Sequence, residues 1–111
     1  MSRPGRAPDI EADIRFLSTD DGGRAHPVRS GYRPSHDFGV DGMLNDAYHE
    51  YVDVDSVAPG STARAKLWLL APEYQAGRLA PGFKFTVQEG AHVVAHGVVV
   101  RVLNAMLQAT G

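Results

Sequence analysis

Histidine supplies the most versatile side chains in this 111-residue sequence: five are present, and His92 and His96 stand four residues apart. On a helix that spacing puts two imidazoles on one face, where they would chelate zinc. The surrounding residues argue for a strand, however, and four strand residues span about 13 Å. Two zinc bonds of about 2 Å each do not bridge that gap unless a bulge folds the strand sharply. The histidines therefore read as surface groups, and no metal is expected. Asp20-Asp21-Gly22 has the opening of a calcium loop but lacks the later ligands and the closing glutamate, so it reads as a turn. A phosphate-cradling loop needs glycines ending in Gly-Lys-Ser or Gly-Lys-Thr, and the only lysines, Lys66 and Lys84, have no such context. No serine lies in a Gly-x-Ser-x-Gly elbow, and there is no cysteine to act as nucleophile, thiolate ligand or disulfide partner. The expectation is a protein that is not an enzyme and uses no cofactor and no nucleotide.

Binding groups are easier to find than reactive ones. Arg24, Arg29 and Arg33 fall within ten residues and, with Arg101, would make an anion or RNA patch. The alternative is that Arg24 and Arg33 brace the fold by bonding loop carbonyls or carboxylates. The net charge of −2 and 22% charged residues are not those of a protein that holds nucleic acid by charge alone. Trp68 falls on the polar side of its strand, where it would anchor a protein interface or pack beneath the connection from Ala71 to Gly82.

The elements that must position these groups are strands. The length allows one domain, and 43% hydrophobic residues allow one modest core. Ile10, Ala12, Ile14 and Phe16 alternate with Glu11, Asp13 and Arg15, which is the period of a half-buried strand, and the run ends at the turn residues Asp20-Asp21-Gly22-Gly23. Pro34 marks a strand entrance before His36, Phe38 and Val40. Gly39 to Ala47 reads as a loop, and Tyr48 to Val54 as a strand with two mixed faces. After the Pro59-Gly60 turn, Ala63, Ala65, Leu67 and Leu69 alternate with Thr62, Arg64, Lys66 and Trp68. An irregular connection from Ala71 to Gly82 leads to Phe83, Phe85 and Val87, the Glu89-Gly90 hairpin and a β-branched return strand from Ala91 to Leu103. In that strand the apolar phase moves from Ala91, Val93 and Ala95 to Val98, Val100 and Val102, so a bulge is expected at Gly97. The predicted core contains Ile14, Phe16, Leu67, Leu69, Phe85, Val87, Val98 and Val100. Residues 1–8 carry two arginines and no apolar run, which reads as a flexible leader and not as a secretory signal. Residues 9–104 form the barrel, and residues 105–111 read as a loose tail. No stretch approaches the roughly 20 apolar residues that span a bilayer. A cytoplasmic protein with no membrane contact is expected.

Two blocks resemble the third, C-terminal domain of translation elongation factor Tu. One runs from Phe16-Leu17-Ser18-Thr19-Asp20-Asp21-Gly22-Gly23-Arg24 to Gly31-Tyr32-Arg33-Pro34; the other runs from Pro81 through Glu89-Gly90 to Leu103. Val57-Ala58-Pro59-Gly60 resembles that family's Met-Pro-Gly turn, and only Gly39 to Asp55 fails to align. The resemblance implies a stand-alone six-stranded antiparallel closed Greek-key barrel, in accord with the strand count. It also implies a docking surface without chemistry, since in the factor this domain packs on the GTPase domain and touches the T-stem of tRNA. Partner-binding residues are then expected at Asp21, Gly22, Gly23, Arg24, Arg33, Glu89 and Gly90. Of the positions that touch tRNA in the family, Glu89 and Gly90 are kept, whereas Ser35, Ala71 and Gly39 to Asn45 depart from the pattern. A protein partner, in translation or in an unrelated accessory or immunity-like role, is expected ahead of tRNA or another RNA.

Overall fold

The computed structural model describes residues 3–110. Strand β1 (Ile10–Phe16) turns its four apolar residues inward and its charged residues outward, as the alternation requires. The remaining strands are β2 (Val28–Arg29), β3 (Ser35–Asp37), β4 (Asn45–Tyr51), β5 (Ser56–Val57), β6 (Thr62–Leu69), β7 (Lys84–Glu89) and β8 (His92–Val102). Six of them close into an antiparallel barrel in the order β1-β6-β4-β3-β7-β8, and β8 returns to β1. Strands β2 and β5 form a separate two-stranded sheet. Among the described residues no helix is long and apolar enough to cross a membrane.

A six-stranded barrel has a narrow interior, so large inward side chains need small ones opposite them. Ala12, Ala47, Ala63, Ala65 and Ala95 face the same core as Phe16, Phe38, Tyr51 and Phe85. Gly97 is the extreme case: a Cβ there would lie 2.2 Å from Cζ of Phe85. The phenyl ring occupies the space a side chain would need.

The predicted core is found for Ile14, Phe16, Leu67, Leu69, Phe85 and Val87, all buried. Val98 and Val100 are corrections: Val98 is 37% exposed and Val100 only half-buried, while Val94, Ala95 and Val99 are buried in their place. The phase of β8 does change, but not at Gly97. Val87 pairs with Ala95 and Gln88 with Val93, so Val94 is the extra residue of one bulge. Ala12 pairs with Val99 and Glu11 with Arg101, so Val100 is the extra residue of a second. Gly97 sits between them on the inward face. Strand β4 also begins earlier than expected, because Asn45 and Ala47 are already buried inside the barrel.

The described residues that flank the barrel on both sides are docked against it. Asp9 is fully buried and accepts hydrogen bonds from the Leu69 amide at 2.7 Å, the Arg6 guanidinium at 2.9 and 3.0 Å and the Asn104 side chain at 2.9 Å. Its own carbonyl accepts from the amides of Leu103 and Asn104. Residues 3–8, read as a leader, lie against Trp68 and Lys66. The expected loose tail is corrected for the described residues up to 110: Ala105–Leu107 form a 3-10 turn, Leu107 is fully buried, and Gln108 bridges Leu79.

Candidate docking site

The turn after β1 is built by short-range bonding. The amides of Asp21 and Gly23 donate to the Ser18 carbonyl at 3.1 and 2.8 Å, and Gly22 adopts φ +94°, a left-handed value that favours glycine. Gly23 has a different reason: a Cβ there would approach the Leu17 carbonyl oxygen to 2.2 Å. Backbone cannot yield as a flexible side chain would. Asp20 and Asp21 are left exposed at the tip.

Arg24 leaves this turn and forms an ion pair with Glu89, 65 positions later in the chain. Its guanidinium also lies over the Tyr32 ring, 5.2 Å from the centroid. The Tyr32 hydroxyl donates to the same Glu89 oxygen at 2.6 Å. The hairpin that presents Glu89 turns at Gly90, φ +61°, and its His92 ring bonds the Gly22 carbonyl. Partial burial alone would raise the Glu89 carboxyl, but the Tyr32 hydroxyl and the Arg24 guanidinium outweigh it and hold the group below its ordinary value. The same burial, together with the Glu89 bond, pushes the Tyr32 hydroxyl upward. Of the expected binding residues, Asp21, Gly22, Gly23, Arg24, Glu89 and Gly90 are thus brought to one edge of the barrel, and Arg24 does brace a carboxylate there.

Arg33 belongs to a different surface. It lines a hollow of about 220 Å³ with Pro4, Arg6, Tyr48, Trp68, Leu69 and Leu70. Trp68 is 2% exposed, so it is no projecting anchor. The N-terminal segment covers it: the indole N–H donates to the Arg6 carbonyl at 2.6 Å, Arg3 lies over the ring, and Tyr48 meets it edge-on at 5.6 Å.

The reading of all five histidines as surface groups is corrected inside the barrel. His36 and His49 are fully buried and bond each other through their Nε2 atoms at 2.7 Å. His36 Nδ1 lies 2.9 Å from the Asn45 carbonyl, and His49 Nδ1 lies 2.9 Å from the Tyr51 hydroxyl. One backbone carbonyl fixes every proton in this chain. A carbonyl only accepts, so His36 carries its proton on Nδ1 and its Nε2 must accept. His49 therefore donates from Nε2, and its Nδ1 accepts from Tyr51. Burial holds His36 down to about 4 against the opposing pull of the Asn45 carbonyl and Asp46. It holds His49 well below its ordinary value too, with His36 adding to the effect. Phe38, Phe85 and Tyr32 pack around the two rings. The signal in the sequence was phase: His36 shares a strand face with Phe38, and His49 shares one with Ala47 and Tyr51.

His92 and His96 do not converge on an ion, and no group of three or more potential metal ligands occurs among the described residues. No protein-family model matches the chain.

Proposed function

We propose that the chain is a non-catalytic docking module, resembling the C-terminal domain of elongation factor Tu, that binds a protein partner at the edge formed by the 18–24 turn and the Glu89-Gly90 hairpin. One observation carries this reading. Three short motifs within the two blocks that resemble the factor, Gly-Gly-Arg, Gly-Tyr-Arg-Pro and Glu-Gly, converge through Arg24, Tyr32 and Glu89 into one bonded cluster. The cluster holds two turns rigidly, and the exposed acids Asp20 and Asp21 project from the first of them. A surface fixed before contact loses little entropy on binding.

The histidines inside the barrel support docking over catalysis, because each ring nitrogen is used in an internal bond and the rings are shielded from solvent. Protein is favoured over tRNA by the local charges. Ser35, where the family carries glutamine, donates to Asp46 at 2.7 Å and so stands beside a carboxylate that repels phosphate. Affinity capture from lysate, with and without ribonuclease, tests the proposal when repeated with Asp21→Lys and Arg33→Glu. A partner that survives ribonuclease and is lost with Asp21→Lys at unchanged melting temperature supports it. Loss with Arg33→Glu alone moves the surface to the Trp68 side, and capture that depends on RNA overturns the protein reading.

A further inference from the structure

The outer face of β1, β7 and β8, away from the Glu89 edge, holds cations that the fold leaves without a counter-charge. Arg3 pairs with Glu50, Arg6 with Asp9, Arg24 with Glu89, and both Arg64 and Arg101 with Glu11. Arg15 and Lys84 are exposed and have no ion pair or hydrogen bond among the described residues. They are nevertheless held close together. Arg15 stands directly opposite His96 and opposite Thr62, and Lys84 stands opposite Val98, two residues along the same outward row. Such cross-strand and diagonal neighbours lie about 5 and 7 Å apart. The three basic side chains line one hollow of about 410 Å³ together with Asp13, Thr62, Phe85, Gly97 and Val98. Asp13 does not neutralise them, since Arg64 Nε holds its carboxylate at 2.7 Å.

We propose that this hollow binds a phosphomonoester. A phosphate dianion matches the two permanent charges of Arg15 and Lys84, whereas one carboxylate would leave a cation uncompensated. Arg15 supplies a planar fork, Lys84 a point charge, and His96 and Thr62 further donors. The 37% exposed Val98 offers an apolar rest for the group esterified to the phosphate. The site is compact because Arg64 and Arg101 on its β1 border are spent on Asp13 and Glu11, which leaves no uncompensated cation there for the continuing backbone of a nucleic acid. The inference is independent of the protein partner proposed above.

Amide and side-chain NMR spectra of the whole chain test it, using three probes at ionic strength matched with sodium chloride: inorganic phosphate, glycerol 3-phosphate and a phosphoserine peptide. Saturable shifts confined to Arg15, Thr62, Lys84, His96 and Val98 are expected, and Arg15→Gln should weaken binding at least about tenfold. Lys84→Gln should do the same, and Arg29→Gln should leave binding unchanged; melting temperatures show that each variant is folded. A phosphoserine peptide that binds tightest identifies a modified protein as the source. Equal binding of glycerol 3-phosphate identifies a small metabolite. Shifts no larger than those from sodium chloride, or shifts indifferent to both Arg15→Gln and Lys84→Gln, overturn the proposal.

Discussion

The His36–His49–Tyr51 chain makes the barrel sensitive to acid through two side chains that solvent does not reach. An added proton on His36 Nε2 meets the N–H of His49 face to face, and one on His49 Nδ1 meets the Tyr51 hydroxyl that donates to it. Both rings therefore stay neutral in the fold, whereas in the unfolded chain they titrate near the ordinary 6.5. Depressed folded values mean that the unfolded state binds more protons below about pH 6.5, for His36 down to about pH 4. The stability is fully present above that window and is lost as pH falls through it, with His36 alone contributing about 3 kcal/mol. Urea unfolding midpoints should fall steeply between pH 7 and 4.5, and His36→Phe combined with His49→Phe should flatten the fall. A flat wild-type profile would contradict two histidines held neutral by burial. Gly97 is the other residue with an outsized role: Gly97→Ala drives a methyl into Phe85, which Phe38 already backs at 4.9 Å between centroids. A loss of about 1–3 kcal/mol is expected in thermal or urea unfolding. Neither role was legible from residue type alone, since histidine is ordinarily a surface group and glycine ordinarily a turn former.

Elements whose two faces differ sharply in polarity could be read directly. Strands β1 and β6 alternate apolar with charged residues, so their inward faces were correctly identified from the sequence. Strand β8 could not be read this way, because its run of valines gives no contrast between faces and two bulges shift the phase where no polar residue reports it. Strand β4 was misplaced for a related reason: its inward face carries Asn45 and His49, polar groups whose partners come from distant parts of the chain. The candidate edge was better marked, since Gly-Gly and Glu-Gly betray turns locally, but the Arg24–Glu89 bond that joins them spans 65 positions and leaves no local trace. Asp9 shows the same limit at the chain ends. One buried carboxylate joins the N-terminal segment, β6 and the residues after β8. Asp9→Ala leaves the Leu69 amide and the Asn104 side chain without their acceptor, and should cost about 3 kcal/mol. Calorimetric melting checks this. Trp68 emission should also shift to the red as the Arg6 segment loosens, and an unchanged spectrum would mean that the segment is held by its other contacts.

At the scale of the molecule the decisive contact is between the first barrel strand and the last. β1 begins at Ile10 and β8 ends at Val102, and their pairing runs from Ile10↔Val102 to Phe16↔Ala95. Closure removes both sheet edges, so no strand of the barrel can detach without exposing two rows of unpaired backbone groups and part of the shared core. A terminal strand in an open sheet would fray at low cost; here β1 is bonded to β6 on one side and β8 on the other. Its inward residues Ile10, Ala12 and Ile14 are fully buried, so opening it would also expose the centre of the core. Native-state hydrogen exchange should then show the amides of Ala12 and Ile14 exchanging only through global unfolding, with the same denaturant dependence as Leu67 in β6. The β2–β5 pair, two residues long on each side, should exchange by local opening and much faster. Leu69→Ala removes a fully buried side chain and should cost about 2–5 kcal/mol. In a closed barrel that loss must appear equally in the exchange of β1 and β8. If β1 keeps its protection while β6 loses it, the two strands open independently, and closure does not make the barrel one cooperative unit.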